Sequence, residues 1–167
     1  MFIRRTVAIV LGAVGVACAA DVGPARDSRP DPELIQKQRK VRALACEASV
    51  PPDFALAVID RESGFDNSMR GSRGEIGASQ ILPSTARALG LDIDRLAAEF
   101  AYNAKAGVAI LRNLVKEARG DQHRALLAYR AGPSWQKLRP RAQAHVLAYA
   151  SGVEHLMSTR YADVRCP

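Results

Sequence analysis

An all-α domain is the fold class the sequence predicts, and three observations carry it. Hydrophobic residues make up 48 % of the chain but aromatics only 5 %, with alanine plentiful and β-branched residues scarce. That mixture suits packed helices better than a sheet. Apolar residues recur at helical spacing in one stretch after another. Acidic, serine or proline starts and glycine stops bound those stretches, the punctuation expected of helix ends. A length of 167 residues suits one domain with a real core.

The elements can be justified in order. Residues 21–31, DVGPARDSRPD, are polar and proline-containing and read as a flexible leader. Pro32 opens a helix with Asp31 as N-cap, running to about Ala48, with Leu34, Ile35, Val41, Leu44 and Ala45 as its apolar side. The turn SVPP leads into a second helix that carries Phe54 to Ser63 and stops at Gly64. Residues 65–80 are glycine-rich and polar, a loop with room for a short hairpin. Ser84 to Leu89 form a short helix stopped by Gly90. From Leu96 to Ala118, Phe100, Ala106, Val108, Ile110, Leu111 and Leu114 predict one long, largely buried helix ended by Gly120. HRALLAYRAGP gives a short helix closed by Gly132-Pro133, and RAQAHVLAYASGVEHLMS a last one after Pro140. The domain is expected over residues 32–160, with a polar tail, 161–167, that carries Cys166.

Residues 1–20, MFIRRTVAIVLGAVGVACAA, read as a secretory signal: a charged start at Arg4 and Arg5, an apolar stretch from Thr6 to Val16, and a small-residue exit. The stretch is too short to span a bilayer stably. Export to a periplasmic or extracellular setting is expected. The alternative is a lipoprotein anchored through Cys18, although Gly15 sits where a lipobox prefers a larger aliphatic residue. Removing this segment takes away Arg4 and Arg5 and no acid, so the net charge falls from +7 to +5. A basic exported protein suits an anionic polymer. The basic residues are scattered and no nucleic-acid-binding motif accompanies them, which argues against nucleic acid. Cleavage leaves Cys46 and Cys166, an even pair in an exported chain, read as a disulfide tying the tail to the first helix. His123, His145 and His155 show neither HExxH nor paired-cysteine spacing, so no metal or other cofactor is expected.

One residue breaks the helical pattern. In FALAVIDRESG, residues 54–64, Phe54, Ala55, Val58 and Ile59 fall on one stripe, and Glu62 lands in the middle of it. A carboxylate aimed at a core is costly unless it is paired, protonated or facing a cleft. The helix C-terminus and apolar neighbours both disfavour the anion, so Glu62 is a candidate proton donor. The competing reading is a structural glutamate satisfied by Arg61 or by backbone amides.

RESGFD, then GEIGASQILPSTARALG, then ALLAYRAGP, in this order and spacing, resemble the soluble lytic transglycosylase domain family. The usual forms there are E-S-x-F, G-L-M-Q-(I/L)-x-P-x-T-A and A-Y-N-A-G-P. YNAKAGVAILRNLV is similar to the family's asparagine–glycine segment, matched by Asn103 and Gly107, and the resemblance runs from about Val41 to Val153. It implies a goose-lysozyme-like helical fold with a sugar-binding groove. It also implies cleavage of the β-1,4 bond between N-acetylmuramic acid (MurNAc) and N-acetylglucosamine (GlcNAc) in peptidoglycan, leaving 1,6-anhydro-MurNAc ends. Glu62 is then the single acid/base. The rival enzyme is a hydrolytic muramidase on the same fold; a protein that binds the wall without cutting it is the non-enzymatic alternative. Peptidoglycan strands are the expected partner and a monomer the expected state. Wall turnover, passage of a secretion or conjugation apparatus, and attack on another cell all remain open as settings.

Supporting roles follow from the same alignment of motifs. Gln80 offers amide donors and an acceptor to a sugar. Ser63 either fixes Glu62 or caps its helix. Gly77 permits a close backbone approach or an unusual turn. Tyr129 and Tyr149 either line the groove or pack in the core with satisfied hydroxyls. Trp135 is a sugar platform or a lid over a helix end. Two departures from the family stand out: Leu-Met becomes Ala78-Ser79, a smaller and more polar groove floor, and the asparagine of A-Y-N-A-G becomes Arg130. Arg130 either pairs with a stem-peptide carboxylate or is a surface arginine. Glu75, two residues before Gly77, either organises the loop or serves as the second carboxylate of an inverting muramidase.

Overall fold

The computed structural model describes residues 31–167, so the segment read as a signal, Cys18 and all but the last residue of the expected leader lie outside the described residues. Seven helices follow: α1 Pro32–Glu47, α2 Pro52–Ser63, α3 Pro83–Ala88, α4 Ile93–Ala98, α5 Phe100–Glu117, α6 Gln122–Ala131 and α7 Pro140–Thr159. A single 3-10 turn, Trp135–Lys137, joins α6 to α7. Among the described residues no helix is long and apolar enough to cross a membrane.

Local chemistry sets most boundaries. Asp31 accepts a hydrogen bond from the Glu33 amide at 2.9 Å, and proline occupies the first turn of α1, as expected. α2 ends where Gly64 takes the left-handed conformation at φ 62°. Asp92 and Asp121 cap α4 and α6, each accepting from the amide three residues on.

α2 is the centre of the molecule. Phe54 through Ile59 are all buried, because α1, α5 and α7 pack around it. A helix enclosed on all sides cannot show a simple polar face. A second, smaller cluster gathers Ile76, Ile81, Ala86, Leu96 and Ala106 beneath the glycine-rich loop.

Two expectations are corrected. The long helix expected from Leu96 to Ala118 is two helices, broken where Glu99 adopts extended backbone (φ −111°, ψ 106°). Leu96, with no exposure, buries into the second cluster, so the chain must turn before α5 joins the main core. No glycine or proline marks this break, and Arg95 spans it with two hydrogen bonds to Glu99 at 2.8 and 2.9 Å. The room for a hairpin in 65–80 is filled only by isolated bridges, Arg70 to Ile76 and Ile76 to Ile81.

Cys46 and Cys166 form the disulfide, with Cα atoms 5.6 Å apart and 120 residues between them in sequence. Buried Tyr161 and exposed Arg160 also hold the tail, both to Asp60, at 3.0 and 2.6 Å. Reducing the disulfide is expected to lower unfolding stability by about 2–4 kcal/mol, the usual range for closing a long loop. Denaturant midpoints measured with and without dithiothreitol check this; coincident curves would refute it.

Candidate active site

Glu62 sits in the last turn of α2 at the edge of a groove of about 770 Å³. Glu75, Gln80, Tyr129, Arg130 and Tyr149 line the same groove. Ile81, Leu82 and Ile110 add apolar lining.

The carboxyl is half-buried, and the Tyr149 hydroxyl on α7 donates to its Oε1 at 2.6 Å. Burial pushes Glu62 above the usual carboxylate range. The Tyr149 hydrogen bond and the charges of Arg130 and Arg61 pull it back, Glu75 adds a further push, and the balance stays upward. Burial, reinforced by the Glu62 charge, raises Tyr129 and Tyr149 well above the normal phenol, so both remain neutral donors. α2 thus delivers its acid to a wall of phenols, which explains why the apolar stripe could end in glutamate.

The glycine-rich loop is held by buried amides. Asn103 on α5 is fully buried; its Oδ1 accepts from the Ser79 amide at 2.8 Å and its Nδ2 donates to the Ile76 and Leu96 carbonyls at 2.9 and 3.1 Å. Asn67 accepts from the Ala78 amide at 3.1 Å and donates to the Ala97 carbonyl at 3.2 Å. Gly77, at φ 69°, lies against both asparagines, where a Cβ would collide with their side chains. The close approach expected of Gly77 is therefore to Asn67 and Asn103 within the fold.

Ser79 stands where sequence reasoning did not put it. Instead of flooring the groove it is fully buried, its Oγ against Gly107, where a Cβ would overlap it. Ala78 is equally buried, so the Ala-Ser pair fills a helix–loop contact. Only the Ser79 carbonyl faces the site, accepting from the Tyr129 hydroxyl at 2.6 Å. Ser63 neither fixes Glu62 nor serves chiefly as a cap: its hydroxyl donates to the Ala78 carbonyl at 2.8 Å, tying the end of α2 to the loop. Trp135 lies outside the groove, in a neighbouring hollow of about 590 Å³ shared with Leu127 and Leu147.

Gln80 does line the groove, its Nε2 donating to the Gly77 carbonyl at 2.8 Å. Glu75 is buried and clamped by Arg73, whose amide and Nε donate to its two oxygens at 2.9 and 2.8 Å. Burial pushes Glu75 up, but backbone amides and the Arg73 guanidinium outweigh it and hold the carboxyl below its ordinary value. Arg130 is exposed, its guanidinium 5.5 Å from the centroid of the Tyr149 ring. Sequence reasoning missed Asn67, Arg73 and Gly71; a Cβ on Gly71 would strike the Glu75 carboxylate and the Gln80 amide oxygen.

Fold and site together define a helical, lysozyme-like domain with a half-buried glutamate, held above the usual carboxylate range, in an open groove. The sequence model of the transglycosylase SLT domain matches residues 39–145, and the chain belongs to that family. Among solved structures, the chain resembles an inactive mutant of the lytic transglycosylase Slt from Pseudomonas aeruginosa, with TM-score 0.55 and 19 % identity over 72 % of this chain. That likeness concerns the fold, and the chain spans 22 % of the length of that protein.

Proposed function

We propose that the chain cleaves the β-1,4 bond between MurNAc and GlcNAc in peptidoglycan and leaves 1,6-anhydro-MurNAc ends. The observation that carries this reading is the half-buried Glu62, held above the usual carboxylate range and addressed by Tyr149 within the groove. Protonated Glu62 gives its proton to the bridging oxygen and GlcNAc departs. The muramyl 2-acetamido group stabilises the positive C1, a substrate-assisted route. Glu62, now a carboxylate, takes the proton from the C6 hydroxyl, whose oxygen closes on C1. No water is consumed. Tyr149 holds the carboxyl in place through both states, and Gln80 presents its amide to the sugar.

Glu75 serves the loop in this reading. Both of its oxygens already accept hydrogen bonds from Arg73, which disfavours a role as a free base for water. The domain over residues 32–160 acts as one catalytic unit, and a disulfide at Cys46–Cys166 fits an oxidising, extracytoplasmic compartment reached by export.

Digestion of purified sacculi in heavy-oxygen water tests the reaction. Anhydro ends without isotope are expected by mass spectrometry. Labelled reducing ends would replace the transglycosylase by a muramidase. Binding without glycan release would leave a wall-binding protein.

A further inference from the structure

We propose that the Glu62 end of the groove holds a carboxylate of the substrate, gripped by Arg130 together with Arg61, so that the chain prefers acidic peptidoglycan to strands whose carboxyls are blocked. The inference rests on the function proposed above and defines its substrate class.

Five charged side chains line the groove: Arg61, Arg73, Arg130, Glu62 and Glu75. Arg73 and Glu75 are spent on each other. Glu62 must be neutral to act as the acid. Arg61 and Arg130 therefore remain, and neither pairs with a carboxylate among the described residues. With Glu62 protonated, three guanidinium groups face one carboxylate, an excess of two positive charges beside the cleavage point.

Both arginines rest along α7. Arg130 holds its guanidinium 5.5 Å from the centre of the Tyr149 ring, the one whose hydroxyl reaches Glu62. Arg61 lies by Gly152, one turn further on, with its Nε 3.4 Å from where a Cβ would stand. A guanidinium at that distance from the ring keeps its N–H groups free, the fork that matches a carboxylate. A surface arginine placed for solubility alone needs neither the aromatic contact nor the groove. The neutral asparagine of the usual A-Y-N-A-G-P form carries no such charge.

Peptidoglycan supplies this chemistry from two sources: free carboxyls of the stem peptide, and the lactyl carboxyl of MurNAc once the peptide is removed. Three substrates separate them: native strands, strands stripped of peptide by an amidase, and native strands with carboxyls converted to amides. With the full chain, kcat/KM is expected to be about tenfold higher on native than on amidated strands, chiefly through KM. Arg130→Asn should bring that ratio near one, Arg130→Lys should keep part of it, and Arg61→Ala should reduce it. In native strands the lactyl carboxyl is bound in its amide. Native strands cut faster than both others therefore assign the site to the stem peptide, and stripped strands cut faster than both others assign it to the lactyl carboxyl. Equal rates on all three substrates, or a preference untouched by Arg130→Asn, overturn the inference. Inactivity on all three substrates instead overturns the proposed function.

Discussion

Glu62→Gln is expected to reduce glycan release by about a thousandfold, within the range a positioned acid–base contributes. Glutamine keeps the shape and still accepts the Tyr149 hydroxyl at its carbonyl oxygen, so substrate should bind as before. It has no proton to give to the bridging oxygen, so the loss should fall on kcat. The wild-type pH profile tests the same group independently. Because burial raises Glu62, the acid stays protonated beyond the ordinary carboxylate range, and activity should fall as pH rises through that elevated value. Stability follows the same sign. A carboxyl whose folded pKa is raised favours the fold below its unfolded pKa, and that contribution is lost as pH rises through the folded one. Near neutral pH the variant, which keeps the Tyr149 hydrogen bond and carries no charge to bury, should therefore melt no lower than wild type. Undiminished turnover by Glu62→Gln, or a pH profile blind to the raised carboxyl, would remove Glu62 from the chemistry.

Glu62 was legible in the sequence because helical periodicity exposes an exception: a charge inside an apolar stripe is visible without coordinates. The helix starts and stops were legible for a related reason, since Asp31, Gly64 and the prolines act on their own neighbours. The break at Glu99 was not legible, because its cause is the burial of Leu96 in a second cluster that draws Ile76 and Ile81 from the loop, Ala86 from α3 and Ala106 from α5. Ser79 was misplaced because loops have no period from which to read an inward or outward face. The Arg73 clamp on Glu75 and the reach of Ser63 to Ala78 depend on a tertiary turn of the glycine-rich loop. Motif matching located Asn103 and Gly107 but could not state their task. That task is to hold the loop against α5.

Asn103→Ala should be among the most destabilising single changes, costing about 3–5 kcal/mol, because it removes one side chain on which three buried backbone groups depend. The Ser79 amide loses its acceptor outright. The Ile76 carbonyl keeps the Ile81 amide at 3.1 Å, and the Leu96 carbonyl keeps a longer hydrogen bond from Asn67 at 3.4 Å. Water cannot readily replace the missing partners, since Asn103 and Ser79 have no exposure. The damage should reach the site as well, because the Ser79 carbonyl accepts from Tyr129 and the loop carries Gln80. Asn103→Asp sharpens the test. It keeps the acceptor for the Ser79 amide but turns an oxygen towards two carbonyls, so a buried anion is disfavoured and the carboxyl pKa should rise. Protonation restores one donor, so relative to wild type the variant should regain stability as pH falls through its raised folded pKa. Denaturant midpoints across pH measure both effects. A cost below about 1 kcal/mol for Asn103→Ala, no more than an ordinary substitution, would mean that the loop is held by Asn67 and packing instead.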